Sequence, residues 1–236
     1  MMPFRYSIDD AVFAWRPGYV RGVVIAQGLK NPPSPPELVS LLRGAEEEAR
    51  ATLDLETLAE HPRISSWREA YRAFGAKPSK FRPSMEAMLR RILRGDSIRS
   101  IGTLVDLGNV VSIRRLVPAG GHATDVLSGD ISLRPARGDE RFVAFGSDQE
   151  ENPEPGEIVF VEGDVVLTRR WTWRQAQHTL LVEDTTAALF NVDGLPPVTV
   201  DDVTEACEEI ARLLERFCGA STRIERLSID APRLEV

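Results

Sequence analysis

Three features of the sequence predict an α+β fold, a β-rich mixed-sheet core flanked by helices. Six short apolar strands crowd the stretch between Asp130 and Val192, separated by Gly, Pro or acidic turns. Helical periodicity brackets them, in segments before residue 100 and again from about Asp201 to Cys218. No internal repeat interrupts this order.

The opening residues, FRYSIDDAVFAW and then YVRGVVIAQGL, alternate apolar and polar and predict two strands around a turn at Pro17-Gly18. Asn31–Glu37, NPPSPPE, reads as linker and helix start together. Ser34 is the cap, the prolines fit the first turn, and Glu37 completes a capping box. The helix beyond it puts Leu38, Leu41, Leu42, Ala45 and Ala49 on one side. Ser66 with Glu69 makes a second capping box, opening a short helix through Trp67, Ala70, Tyr71 and Phe74 that stops at Gly75. After the loop GAKPSKFRPS, a third helix turns Met85, Met88, Leu89 and Ile92 inward and Arg90, Arg91 and Arg94 outward, and Gly95 ends it. Ile101–Val117 fits a helix through Leu104, Leu107 and Val111 and a strand through Val110, Val111 and Ile113.

Beyond the PAGGH turn come the strands DISLRP, RFVAFG, EIVFVEG, DVVLTRR, HTLLVED and AALFNV, with a hairpin turning at Glu162-Gly163-Asp164. A last helix carries the stripe Val203, Ala206, Ile210, Leu213 and Phe217 and closes at Gly219, and TRIERLSID returns as an edge strand.

A chain of 236 residues, 42% hydrophobic and 28% charged, is long enough to bury a real core as one domain or two small ones. It has no apolar run near the ~20 residues that a membrane helix needs. The N-terminus MMPFRYSIDD lacks an apolar signal core, so a cytoplasmic location is the default expectation. Cys207 and Cys218 fall in one helix, roughly 16 Å apart. That is too far for a disulfide or a shared metal, and His61, His122 and His178 lack zinc spacing. Neither a metal nor a cofactor is expected, and nothing marks an obligate protein partner.

Net charge is −7, but between His61 and Leu116 twelve Arg and Lys face four acids, a local balance of +8 that leaves −15 for the rest. A basic segment inside an acidic chain suits either a docking face for a polyanion or a solvated helical face. Its exposed candidates are Arg68, Arg72, Lys77, Lys80, Arg82 and Arg90.

Phosphate loops, dinucleotide fingerprints, nucleophile elbows and HExxH patterns are absent from the sequence. Two stretches remain. His122 lies in PAGGHATD, where glycines let backbone approach a ligand and Asp125 is placed to orient the ring. Arg169–Gln175, RRWTWRQ, ends an apolar strand in cations and indoles. Read as extended, it puts Arg169, Trp171 and Trp173 on one face and Arg170, Thr172 and Arg174 on the other. Indoles beside guanidinium groups suit a nucleobase and a phosphate, or an arginine–tryptophan ladder along a sheet edge.

The stretch LVDLGNVVSIRRLVPAGGHATD resembles the B3/B4 domain of the bacterial phenylalanyl-tRNA synthetase β-subunit. That family reads V-V-D-x-x-N-x-V followed by L-H-A-F-D, and Val105-Asp106, Asn109-Val110, His122-Ala123 and Asp125 match it. ISLRPAR, the GDERF turn, the EIVFVEGDVVL hairpin and EDTTAALF follow in the family's order, so the resemblance covers roughly His61 to Ala220.

It implies a freestanding B3/B4-like domain over residues 61–236; the strands and helix of residues 1–60 have no counterpart in it and are expected to pack on that domain. It also implies binding of the aminoacylated acceptor end of tRNA and hydrolysis of a mischarged aminoacyl ester, without the ligase activity of the synthetase. Asn109 and His122 correspond to the family's site residues; Arg170, Trp171, Trp173, Arg174, Gln175 and Asp125 are the substrate-binding candidates. The family carries a glycine-rich loop where this chain has RRWTWRQ, a Glu where it has Asn191, and H-T-D-x-S where it has FCGAST. A non-catalytic RNA-binding module and a hydrolase of small amino-acid-like esters are the alternative readings.

Overall fold

In the computed structural model, which describes residues 3–236, the apolar runs assemble into two main sheets. The elements in chain order are β1 (Arg5–Ile8), α1 (Asp10–Trp15), β2 (Val20–Gln27), α2 (Pro36–Thr52), α3 (Pro62–Ala73), α4 (Ser84–Leu93) and α5 (Thr103–Arg115). Next come β3 (Ala119–Ala123), β4 (Ile131–Pro135), β5 (Phe142–Val143), β6 (Glu150–Glu151), β7 (Ile158–Glu162), β8 (Val165–Arg169) and β9 (Arg174–Gln175). The chain ends with β10 (Ala187–Gly194), α6 (Val200–Cys218), β11 (Ser221–Leu227) and β12 (Arg233–Glu235). One sheet runs β12-β1-β4-β7-β8-β9 and the other β11-β2-β10-β3, with β5 and β6 as a separate ribbon. β1 pairs parallel with β4, and the remaining pairs of the two main sheets are antiparallel. Mixed sheets with flanking helices are the α+β architecture expected.

The first sixty residues are woven into both sheets, β1 between β12 and β4 and β2 between β11 and β10. They do not form two adjacent strands, however. Asp9 caps a helical turn through its carboxylate and the Ala11 N–H (2.9 Å), and α1 buries Val12 and Phe13 where alternation suggested strand. Two other helix starts differ from expectation. Ser34 does not cap α2; its hydroxyl donates instead to Asp106 (2.6 Å) at the start of α5. α3 begins at Pro62 behind a His61 cap, so Ser66 lies inside it, and Gly75 (φ 83°) follows its end.

Ile101–Val117 resolves as helix. α5 packs between α2, α4 and α6 and against β3, so apolar residues surround it and its periodicity is lost. HTLLVED is loop and turn, whereas AGGHA, read as a turn, is strand β3, paired antiparallel with β10. A Cβ on Gly121 would come within 2.7 Å of both Leu181 and Phe190, so glycine there reflects close packing and not a turn.

β7 is buried on both faces: Ile158 and Phe160 join the main core, Val159 and Val161 a second small one with Phe142, Val166 and Ala176. α6 closes at left-handed Gly219 as its pattern predicts, and it is capped at its start by a Thr199–Asp202 capping box. It presses on β2 so tightly that a Cβ on Gly22 would lie 2.2 Å from the Cys207 sulfur. Cys207 and Cys218 are both buried and free, their thiols pushed up to about 12 by burial. Among the described residues no helix is long and apolar enough to cross a membrane.

Candidate functional site

A cavity of about 580 Å³ lies where the two main sheets meet α4 and α5. Its apolar wall includes Met88, Leu104, Phe160, Trp171, Leu180 and Leu181, while Asn109, His122, Thr168, Arg174 and Gln175 supply polar groups. At its mouth stand three strongly exposed apolar side chains, Ile101 (63%), Phe145 (60%) and Val182 (54%). Apolar walls with a few convergent polar groups are the usual make-up of a small-molecule site.

His122 sits on β3 and ties the two sheets together. Its Nδ1 lies 2.7 Å from the Thr179 hydroxyl and its Nε2 3.2 Å from that of Thr168 on β8. Phe160 meets the ring edge-on, with centroids 5.1 Å apart. Burial, reinforced by the Arg21 charge, lowers its pKa to about 3, so the imidazole is neutral at pH 7. Gln175 braces the same corner by donating to the carbonyls of Gly121 (3.0 Å) and Thr179 (3.2 Å). Asp125 does not orient the ring: its carboxylate is exposed and accepts from the Thr186 N–H at 2.7 Å. The threonine hydroxyls do that instead. Asn109, half-buried on α5, makes no side-chain hydrogen bond within the protein among the described residues, leaving its amide to the cavity.

The floor carries a group that sequence reasoning missed. Arg21 of β2 and Asp193 of β10 are cross-strand partners, and their side chains meet at 2.6 Å with both almost fully buried. The Tyr19 hydroxyl donates to the same Asp193 oxygen, Oδ1. Arg21 Nη1 donates to the Tyr6 hydroxyl (2.6 Å), whose own proton must therefore go to Asn191 Oδ1 (2.8 Å). Burial outweighs the Arg21 charge and raises the Tyr6 phenol well above its ordinary pKa, so that proton is firmly held. Arg21, Asn191 and Asp193 all line the cavity. The available signal was a charge inside each of two apolar strands, YVRGVVIAQ and AALFNVDG.

RRWTWRQ is not extended beyond Arg169. Arg170 (φ 47°) and Trp171 (φ 63°) adopt left-handed backbone, turning the chain from β8 into β9. Such a conformation costs about 1–2 kcal/mol per non-glycine residue. Deep packing holds it: Trp171 is 2% exposed and meets Tyr19 and Trp67 edge-on. Arg169 grips Glu157 through Nε (2.8 Å) and Nη2 (2.9 Å) and Glu151 through Nη1 (2.8 Å). Arg170 points away from the cavity lining, pairing with Glu157 (3.2 Å) and stacking on Phe81 (3.7 Å) and Trp173 (4.7 Å). Of the segment's candidates, Trp171, Trp173, Arg174 and Gln175 line the cavity; Arg170 does not.

The basic surface divides as sharply. Arg68 (2.7 Å) and Arg90 (2.8 Å) both bind Oε1 of buried Glu86. Arg72, Lys77 and Lys80 are exposed and make no ion pair among the described residues. Lys80, Arg82, Arg90 and Arg94 converge with Trp173 on a shallow groove of about 200 Å³. Trp173 thus separates this cationic groove from the cavity.

The B3/4 domain family model matches residues 66–219, well over half of the chain. The chain belongs to the B3/4 domain family. Comparison with curated proteins gives no match. Among the solved structures similar to it is an N-terminal fragment of the phenylalanyl-tRNA synthetase beta-subunit from Pyrococcus horikoshii. Identity is 14% and the TM-score 0.51, over 98% of this chain and 53% of that one, so the likeness is one of fold. Asn109, His122, Thr168, Asn191 and Asp193 fall within the matched B3/4 segment. Tyr6, Tyr19 and Arg21 precede it, so the cavity floor of this B3/4 protein is completed by residues from before that segment.

Proposed function

We propose that this protein edits charged tRNA in trans, binding an aminoacylated acceptor end and hydrolysing a mischarged ester. The observation that carries the reading is the convergence of Asn109, His122 and most of the RRWTWRQ candidates on one cavity. A volume of about 580 Å³ holds an aminoacyl group with room for part of the terminal nucleoside. Exposed Phe145, Ile101 and Val182 at the mouth offer apolar faces to a base, and the cationic groove beside Trp173 offers partners to the phosphates behind it.

Ester hydrolysis needs a held water and donors at the developing oxyanion. A histidine with a pKa of about 3 is too weak a base to deprotonate water efficiently at pH 7. His122 is therefore not the base: with its ring nitrogens on Thr179 and Thr168 it fixes the Thr168 hydroxyl at the cavity wall, and the proton of the attacking water leaves through solvent or the neighbouring ribose hydroxyl. Asn109, with its amide uncommitted, holds the water or the acyl carbonyl.

A panel of mischarged tRNAs tests the reading. At least one is deacylated well above its spontaneous rate, and His122→Ala and Asn109→Ala each lose most of that rate. No release above background across the panel would sink it. The same neutral His122 favours a second reading, a binding module without turnover, in which salt-sensitive RNA binding survives His122→Ala. Turnover of an aminoacyl ester without tRNA would point instead to a small-ester hydrolase.

A further inference from the structure

The Arg21–Asp193 pair is an expensive feature to place on a cavity floor. Burying two charges costs several kcal/mol per ion unless their remaining hydrogen-bonding positions are filled. Here they are filled incompletely. Arg21 spends Nε on Asp193 and Nη1 on Tyr6, and Asp193 Oδ1 takes both Arg21 and Tyr19. Among the described residues, Nη2 of Arg21 and Oδ2 of Asp193 make no hydrogen bond. Nor does the Asn191 amide nitrogen, which points away from Tyr6 because Asn191 Oδ1 accepts the phenol proton. None of these three atoms is a sealed, orphaned group, and all three residues line the cavity. Their open positions face its interior.

One carboxylate oxygen, one guanidinium N–H pair and one amide N–H pair, on residues that line one cavity, suit an ammonium next to a carbonyl. We infer that the Arg21–Asp193–Asn191 floor is the subsite for an α-amino acid moiety. Asp193 Oδ2 accepts from the α-ammonium, and Arg21 Nη2 and Asn191 Nδ2 donate to the acyl oxygen. The side chain then lies along the apolar wall of Met88, Leu104, Phe160 and Leu181. Tyr6 and Tyr19 are positioning residues, holding the pair in register through their hydroxyls. This assignment rests on the reading that the cavity takes an aminoacyl group. It assigns recognition of the α-amino group to a charged floor whose arginine precedes the family segment, and it makes that group, free, a requirement.

Calorimetric titration of the full chain with the amides of L-phenylalanine, L-tyrosine, L-leucine and L-methionine, each beside its N-acetyl counterpart, tests this. Acetylation removes the ammonium and leaves the carbonyl. At least one amide binds, and its N-acetyl form binds about tenfold or more weakly, the loss expected for one charge-assisted hydrogen bond. Equal binding of the two forms, or no binding of any amide at millimolar concentration, overturns the assignment. In Asp193→Asn, affinity for the amide falls to that of its N-acetyl form; a folded variant that keeps the preference overturns the role of Oδ2. Should that variant fail to fold, the ligand series on the unaltered chain decides alone. Deacylation of N-acetylaminoacyl-tRNA as fast as of aminoacyl-tRNA would refute the subsite and leave editing standing. Amide binding by a protein that deacylates no tRNA would do the reverse.

Discussion

Arg169 with Glu157 and Arg21 with Asp193 are two buried ion pairs built from similar parts, and they end differently. Arg169 has each of its three nitrogens on a carboxylate oxygen, two of them on Glu157. Arg21 shares a single carboxylate oxygen with a tyrosine and leaves a nitrogen over. The first pair closes a turn at the sheet edge; the second opens onto a cavity. Burial and charge alone do not mark a site, therefore. Incomplete saturation next to empty volume does, because a ligand can supply the missing partners.

The largest effect that separates the two is on stability. Glu157→Ala leaves Arg169 and Arg170 without their shared buried partner and costs on the order of 3–5 kcal/mol in urea unfolding, with amide affinity of the folded fraction unchanged. Acid gives the next. His122 is held near pKa 3 in the fold and has an ordinary value of 6.5 when unfolded, so the unfolded chain binds the extra proton between these values. Its contribution is complete above about pH 6.5 and is lost as pH falls towards 3, on the order of 5 kcal/mol in all. The difference in stability between the parent and His122→Gln therefore narrows on acidification; a constant difference from pH 7 to pH 4 would contradict it.

Third, Arg21→Met combined with Asp193→Leu destabilises far less than either change alone, since no lone charge is left, yet it weakens amide binding about tenfold or more. A double variant that bound normally would reduce this pair to scaffold like the other. The smallest effect is on RNA. Lys80→Ala or Arg94→Ala each lowers the salt slope of tRNA binding by about one, whereas Arg68→Ala, already committed to Glu86, leaves that slope unchanged and is read in stability.

Residue patterns that carry their own local physics were legible in advance. The α6 stripe with its Gly219 stop, the β7–β8 hairpin at Gly163 and the edge strand β11 follow from periodicity and turn chemistry. Asn109 and His122 were legible through motif order and do meet at one cavity. RRWTWRQ was legible as unusual but not as a turn, because left-handed Arg170 and Trp171 are tolerated only under the packing of Tyr19, Trp67 and Phe81. Arg68 and Lys80 look alike in sequence; a buried Glu86 eighteen residues from Arg68 makes the difference.

By itself, the sequence determined the alternation of helices and strands, the cationic segment and Asn109 and His122 as the candidates that share the cavity. Which charges are spent and which are left over was decided only by tertiary structure. Arg21 and Asp193 stand 172 residues apart and become partners through one register between β2 and β10. Hydrogen bonds are short-ranged and directional, so whether a buried charge is saturated depends on atoms that chain order does not bring together.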